Sequence, residues 1–376
     1  MAGSDFIRKR LWPHASDAQW RAPGWQWSNR LRGKRGLERL FWLSKEAIEE
    51  LARVIEEYPW ATTPYYLNLI SSPGLDDPIL RQILPSRQEL VAGGCHSSPD
   101  PLHEHDFMPV EGLIHRYPDR CLLLSSHLCA VHCRHCNRKR TWRRPEAIFR
   151  RQQWRKALSY IEANSQIREV ILSGGDPLAL SRRRLYWILS SIRAIGHVEV
   201  IRIGTRLPVT LPFAVDDGLA GLLGQFSPIW VNTHFNHASE ITPEAEQACR
   251  RLQLAGIPVS NQAVLLRGVN DSFTAVKELC TRLQAMMVRP YYLFQCDTVM
   301  GCEHFRTPLS AGIAIIDRMW CRVGGMCVPR FVVDLPNGRG KAVAAPASLL
   351  HYEDGKALFR TFQGEMVWYH DPKSAE

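Results

Sequence analysis

Three cysteines stand close together in Cys129-Ala-Val-His-Cys133-Arg-His-Cys136, a C-x3-C-x2-C spacing. Three thiolates can hold three irons of a cubane 4Fe–4S cluster, whose usual full complement is four cysteines. No fourth cysteine lies nearby, so one iron would stay open to a substrate or cofactor, as catalytic metal sites keep an open position. A zinc knuckle is the alternative; it wants a fourth ligand, which His132 or His135 offers. Lys341, in Pro336-Asn337-Gly338-Arg339-Gly340-Lys341, also has two readings. It is solvated, or it holds a phosphate electrostatically. In Ser173-Gly174-Gly175-Asp176 the two glycines let the backbone approach a ligand or make a tight turn, and Asp176 can accept from an ammonium. Arg116, Tyr117 and Arg120 suit phosphate oxygens; a surface arginine pair is the plainer reading. Asp297 and Asp334 end the runs YYLFQCD and RFVVD. On one edge they make an anionic spot that wants a cation; singly, each is a cap or a salt-bridge partner.

These residues need elements to position them. Short apolar runs at 121–127, 169–175, 198–205, 228–235, 258–266, 289–295 and 330–335 read as strands, with helical patterns between several of them. Strand–helix alternation predicts a parallel sheet with covering helices, and six or seven units predict a full or partial barrel. Active sites of such barrels gather at the C-terminal ends of the strands. Residues 1–110 read as an N-terminal helical or oligomerisation segment, with an amphipathic helix over 43–58. Residues 111–335 read as the barrel, and 336–376 as the Lys341 loop and a C-terminal extension.

Composition narrows the class. In 376 residues with 45% hydrophobic and 22% charged content, wholesale disorder, collagen and a coiled-coil rod are excluded. No run approaches the roughly 18 apolar residues of a membrane span. The N-terminal stretch is charged and has no apolar core, so no secretory signal is expected and a cytoplasmic location is. Disulfides are rare there, and clustered cysteines ligate metal or do chemistry. Cys95, Cys249, Cys280, Cys302 and Cys321 read as small buried or bystander residues. A net charge of +10 and the run Arg138, Lys139, Arg140, Arg143, Arg144 invite a nucleic-acid reading; a solvated face is the alternative.

The stretches HRYPDRCLLL, CRHCNRKR, LSGGDPL, RIGTRLPV, NQAVLLRGVND, RPYYLFQCD and CVPRFVVDLPNGRGK, in this order, resemble the lysine 2,3-aminomutase family of the radical SAM superfamily. The resemblance runs from about Trp25 to Gln363. It implies an α/β fold, a partial (β/α)6 barrel with an N-terminal helical segment and a C-terminal extension. It implies a 4Fe–4S cluster on Cys129, Cys133 and Cys136, with S-adenosylmethionine (SAM) on the open iron and pyridoxal 5′-phosphate (PLP) on Lys341. Ser173, Gly174, Gly175 and Asp176 match the segment that meets the SAM amino group. His135 matches a position near the SAM adenine, and His234 is a further cofactor-site candidate. Arg116, Tyr117 and Arg120 match the PLP phosphate clamp, and Gln262 a cofactor contact. Arg138 matches the holder of the substrate carboxylate; Asp297 and Asp334 match the pair that receives its terminal ammonium.

The reaction implied is L-lysine to β-lysine by 1,2-amino migration, with a flavodoxin- or ferredoxin-type electron donor and a dimer or tetramer. Arginine is the alternative substrate, and a radical SAM RNA-modifying or RNA-binding protein the alternative class. Two departures stand out. Arg339 replaces a loop glycine. Ser272 replaces an upstream zinc cysteine, and the chain ends without the family's cysteine-rich tail, so no structural zinc is expected.

Overall fold

Each strand of the central sheet from β4 to β9 is followed by a helix that carries the chain back across it, so the next strand runs parallel. The computed structural model describes residues 5–73, 76–91, 97–143, 150–320, 322–353, 356–361 and 363–370. Two short strands come first, β1 (Leu31–Arg32) and β2 (Ala61–Thr62), paired antiparallel. The central sheet holds β3 (Leu113–Tyr117), β4 (Arg120–Ser126), β5 (Glu169–Gly174), β6 (Val200–Gly204), β7 (Ile229–Thr233), β8 (Val259–Leu265), β9 (Arg289–Gln295), β10 (Arg330–Asp334) and β11 (Lys341–Val343). They stand in sequential order, β4 to β10 parallel, with β3 and β11 antiparallel at the two edges. Helices Arg151–Ala163, Arg182–Arg193, Asp217–Gly224, Pro243–Leu254, Phe273–Ala285 and Leu309–Met319 make the six crossovers.

The seven parallel strands fall where the apolar runs predict them. The edges are not hydrogen-bonded to each other, so the barrel is partial rather than closed. Loop contacts bridge the gap instead. A Cβ on Gly338 would lie 2.3 Å from the Phe107 ring, and one on Gly340 would lie 3.2 Å from the Tyr117 hydroxyl. Both glycines have positive φ, +67° and +89°, which side chains resist. Arg339 between them has φ −70°, an ordinary value, so the arginine that departs from the family pattern fits this loop. Ser272 caps the helix Phe273–Ala285, accepting from Ala275 N at 3.2 Å.

The N-terminal segment is part of the core rather than a separate cap. Trp12, Trp20 and Trp25 pack on one another with ring centroids 5.8–6.4 Å apart. The amphipathic helix lies at Lys45–Glu57 and buries Ile48, Leu51 and Val54. The segment also walls the cysteine loop after β4. Cys129 O accepts from Arg30 Nη1 at 2.8 Å, His132 N donates to Ala61 O at 2.9 Å, and Arg134 N donates to Gln82 O at 2.8 Å. A three-stranded sheet, β12 (Leu349–Glu353), β13 (Lys356–Arg360) and β14 (Met366–His370), follows the Lys341 strand. Among the described residues no helix is long and apolar enough to cross a membrane.

Arg134, inside the cysteine motif, has a fully buried side chain, and so does Glu89. Arg134 forks onto Glu89 at 3.0 and 2.6 Å and donates to the Pro59 and Tyr58 carbonyls. Lys139 Nζ adds a contact to Glu89 at 2.7 Å. Burial alone would raise the Glu89 carboxyl, but Arg134 and Lys139 hold it below its ordinary value. Removing one partner of such a buried group strands the other charges and costs about 3–5 kcal/mol. Glu89→Ala is therefore expected to lose about that much unfolding free energy, measured by chemical denaturation of the iron-free chain. A loss under about 1 kcal/mol would contradict the buried network.

Candidate active site

One cavity of about 600 Å3 opens at the C-terminal ends of the strands, and every candidate site residue named from the sequence lines it. Cys129, Cys133 and Cys136 come from the loop after β4. Burial pushes the Cys136 thiol up to about 11 and the Cys129 thiol well above its usual value, so iron must displace these protons on binding. Among the described residues no three His, Cys, Asp or Glu side chains form a group able to hold a single metal ion. Each histidine offered to a zinc knuckle has one ring nitrogen engaged, while His135 Nδ1 is buried without a hydrogen-bond partner among the described residues. His132 Nδ1 lies 3.0 Å from Pro59 O, with its ring stacked on Trp142, and His135 Nε2 lies 3.2 Å from Asn236 Nδ2.

The glycines at the end of β5 serve the cysteine loop directly. Gly174 has φ +114°, and a Cβ there would meet Ser126 O at 2.6 Å; one on Gly175 would meet Leu128 O at 2.4 Å. Gly175 N donates to Ser126 O and Asp176 N to Leu128 O, at 2.6 and 2.7 Å. The close approach is thus to the protein's own backbone. Asp176 is likewise engaged within the protein. Its carboxylate accepts from Thr205 Oγ1 at 2.6 Å, Arg206 N at 2.8 Å and Leu178 N at 3.0 Å, while Asp176 also lines the cavity.

Arg206, at the end of β6, reaches the cysteines. Its Nη1 donates to Cys133 Sγ at 2.7 Å, its Nη2 to Glu240, Gln82 and Tyr66, and its Nε to His234 O. Burial, then Arg206, pushes the His234 imidazole down to about 4. Gln262 lines the cavity from within β8.

The register of the β10–β11 pair sets Lys341 across from Asp334. Their side chains pair at 2.9 Å, and Lys341 Nζ lies 5.5 Å from the centre of the Phe294 ring. Asp297 follows β9 and accepts from Asn137 Nδ2 at 3.2 Å. Burial, and then the neighbouring Asp334, raises the Asp297 carboxyl to about 7. Arg138 binds Glu104 at 2.6 and 3.0 Å. Tyr117 Oη and Arg116 Nε are buried without a hydrogen-bond partner among the described residues, while Arg116 Nη2 donates to Leu102 O. Arg120 pairs with Asp119 and lies over the Tyr117 ring.

Family models match over residues 123–280, as the Radical SAM superfamily, and over 316–376, as Lysine-2,3-aminomutase. The chain is 44% identical to an L-lysine 2,3-aminomutase of Fusobacterium nucleatum, over 98% of this chain and 86% of that protein. It is 43% identical to an L-lysine 2,3-aminomutase of Clostridium subterminale, over 97% of this chain and 88% of that protein. The chain belongs to the lysine 2,3-aminomutase family. It is a radical SAM aminomutase, an isomerase, and membership implies a 4Fe–4S cluster, SAM and PLP as its cofactors. A glutamate 2,3-aminomutase of Clostridioides difficile is also related, at 34% identity over 96% of this chain and 86% of that protein.

Several residues of this aminomutase site escape a reading of its sequence. Arg206 follows a strand end in RIGTR, so the strand-end rule points to it. Glu104 sits in a single 3-10 turn, Glu104–Phe107, of a proline- and histidine-rich stretch without periodic signal. The basic run is largely neutralised inside the protein: Arg138 and Arg140 pair with Glu104, Lys139 with Glu89 and Arg143 with Glu57. Arg144, Cys95 and Cys321 lie outside the described residues.

Gly175→Ala is expected to push the Leu128 carbonyl away and displace the cysteine loop. After anaerobic reconstitution the folded variant should retain markedly less iron per chain than the parent. Parental iron content would show that the close packing of Gly175 is dispensable for the loop.

Proposed function

We propose that this chain is a SAM- and PLP-dependent 2,3-aminomutase that converts L-lysine to β-lysine. The observation that carries the reading is one cavity whose lining includes Cys129, Cys133 and Cys136, Lys341, the Arg138 guanidinium and the acids Asp297 and Asp334. The residues present fit the cofactors. Tyr117 Oη and Arg116 Nε are donors without partners among the described residues, and Tyr117 lies against the Gly340 turn that precedes Lys341, which suits a phosphate clamp next to the PLP lysine. Three thiols on one loop, with the cavity's other cysteine, Cys121, back at the start of β4, suit a cluster with one open iron. When bound, PLP supplies a π system for nitrogen migration, and SAM with the cluster supplies a radical that abstracts hydrogen.

The chain's own residues bind and orient. Arg138 holds the substrate carboxylate. Lys341 pairs with Asp334, and Asp297 beside it, once ionised, offers a negative charge to one further cation. Lysine provides it. Glutamate would bring a third carboxylate to this pair of acids, which disfavours it. A guanidinium carries the same charge but is longer and planar, so arginine is the second substrate to test.

The deciding experiment is anaerobic reconstitution with iron, sulfide, PLP and SAM, then product analysis over a panel of amino acids. β-Lysine is expected as the main product. A larger kcat/KM with arginine or glutamate would overturn the lysine assignment and leave the aminomutase in place.

Borohydride reduction of the PLP-loaded protein should fix a pyridoxyl group on the peptide containing Lys341. Lys341→Ala should lose the label yet still cleave SAM slowly, because the cysteines are separate from it. A label on another lysine removes Lys341 from this role.

Asp297→Ala and Asp334→Ala should each raise KM for lysine roughly ten- to a hundredfold, since contacts to a buried charge are worth about 1.5–3 kcal/mol. The sign of the pH effect follows from the raised Asp297 carboxyl. Below about 7 it is protonated and neutral; a bound ammonium favours the ionised form. KM for lysine should therefore fall as pH rises through 7, and Asp297→Asn should flatten that step. An unchanged profile in Asp297→Asn would assign the titration to another group.

A further inference from the structure

We propose that Glu104 is the positioning residue for Arg138, fixing its guanidinium so that one edge is presented to the substrate carboxylate. The proposal rests on the reading of Arg138 as the carboxylate anchor. Glu104 is 3% exposed. Burial alone would raise its carboxyl, but Arg138 and Arg140 hold it at about 2, so it is an anion throughout the working pH range. It takes Arg138 by the side-on fork: Nε donates to Oε1 at 3.0 Å and Nη2 to Oε1 at 2.6 Å. Arg138 Nη1 lies 3.4 Å from Ser173 Oγ, toward the end of β5.

An arginine side chain has five N–H donors. Four contacts to Glu104 and Ser173 use three of these donors and leave two among the described residues, one on each terminal nitrogen. Donors on both terminal nitrogens are what a carboxylate needs for two parallel hydrogen bonds. Glu104 is itself held from behind. Arg140 Nη2 donates to its Oε2 at 2.5 Å and pairs with Asp100 at 3.1 Å. Two cations and two anions therefore balance, and the anchor meets its ligand already oriented. Preorganisation of this kind improves affinity by removing the cost of ordering a long side chain.

The test compares lysine with lysinamide, which has the same amines and no carboxylate, by equilibrium binding to the reconstituted holoenzyme and by steady-state kinetics with lysine. Glu104→Gln is expected to weaken lysine binding about tenfold, to raise KM with kcat nearly unchanged, and to leave lysinamide binding within about twofold of the parent, since lysinamide makes no carboxylate contact. Adding Glu104→Gln to Arg138→Gln should cost little more than Arg138→Gln alone, because coupled residues are not additive. Equal loss for lysine and lysinamide, or a further tenfold loss in the double variant, would overturn the proposal. If Glu104→Gln is not recovered folded, Glu104→Asp keeps the charge but draws it back by one methylene, and the same lysine-selective loss is expected. Unchanged lysine binding in Arg138→Gln removes the anchor itself, and Glu104 with it. Weakened binding there with none in Glu104→Gln overturns the Glu104 proposal alone.

Discussion

The cavity depends first on how Arg134 is held. A guanidinium between two cysteines, with no exposed side-chain surface, pays a large desolvation cost unless an anion and hydrogen bonds meet it. Glu89 and the Pro59 and Tyr58 carbonyls meet it in one place only. The cysteine loop is therefore pinned to chain that precedes the barrel by more than a strand. Lys139 closes the arrangement from the far end of the motif, reaching both Glu89 and Gly301 O. A motif that reads in sequence as a string of ligands is, in the fold, as much a string of anchors.

The Lys341 wall is held differently. β11 has a single strand neighbour, and its three residues are exposed or half-buried. Its position comes from register, which sets Lys341 opposite Asp334, and from glycines whose missing side chains let the turn press on Phe107 and Tyr117. Those contacts join the two sheet edges where backbone pairing does not. The phosphate-clamp candidates on β3 and the lysine on β11 are last neighbours across an unzipped seam, although more than 200 residues separate them in the chain.

The parallel strands were legible because strands buried on both faces write continuous apolar runs. The edges were not. The run Leu113–Tyr117 carries His115 and Arg116, β11 is three residues long, and β12 and β14 are exposed throughout, so no alternation marks them. Helix Asp217–Gly224 hides behind its glycines. At the site, residue types and strand ends led to one cavity, but what each residue touches did not follow from type. Asp176 looked free for an ammonium and is engaged by Thr205 and two backbone amides. The glycines beside it looked made for a ligand and fit the cysteine loop's backbone. Glu104 carried no sign of itself, because its partners Arg138 and Arg140 lie more than 30 residues away.

The order of the walls along the chain sets an order in time. Lys341 leaves the ribosome 205 residues after Cys136, or roughly 10–40 s later at about 5–20 residues per second. For that interval the tryptophan-rich segment and the cysteine loop can meet, but the far wall does not yet exist. The three thiols of the nascent chain thus face water and oxidants on one side well before the pocket can enclose anything. Protection of those thiols during synthesis has to come from the cell or from early iron, since the fold supplies its last wall only at the end.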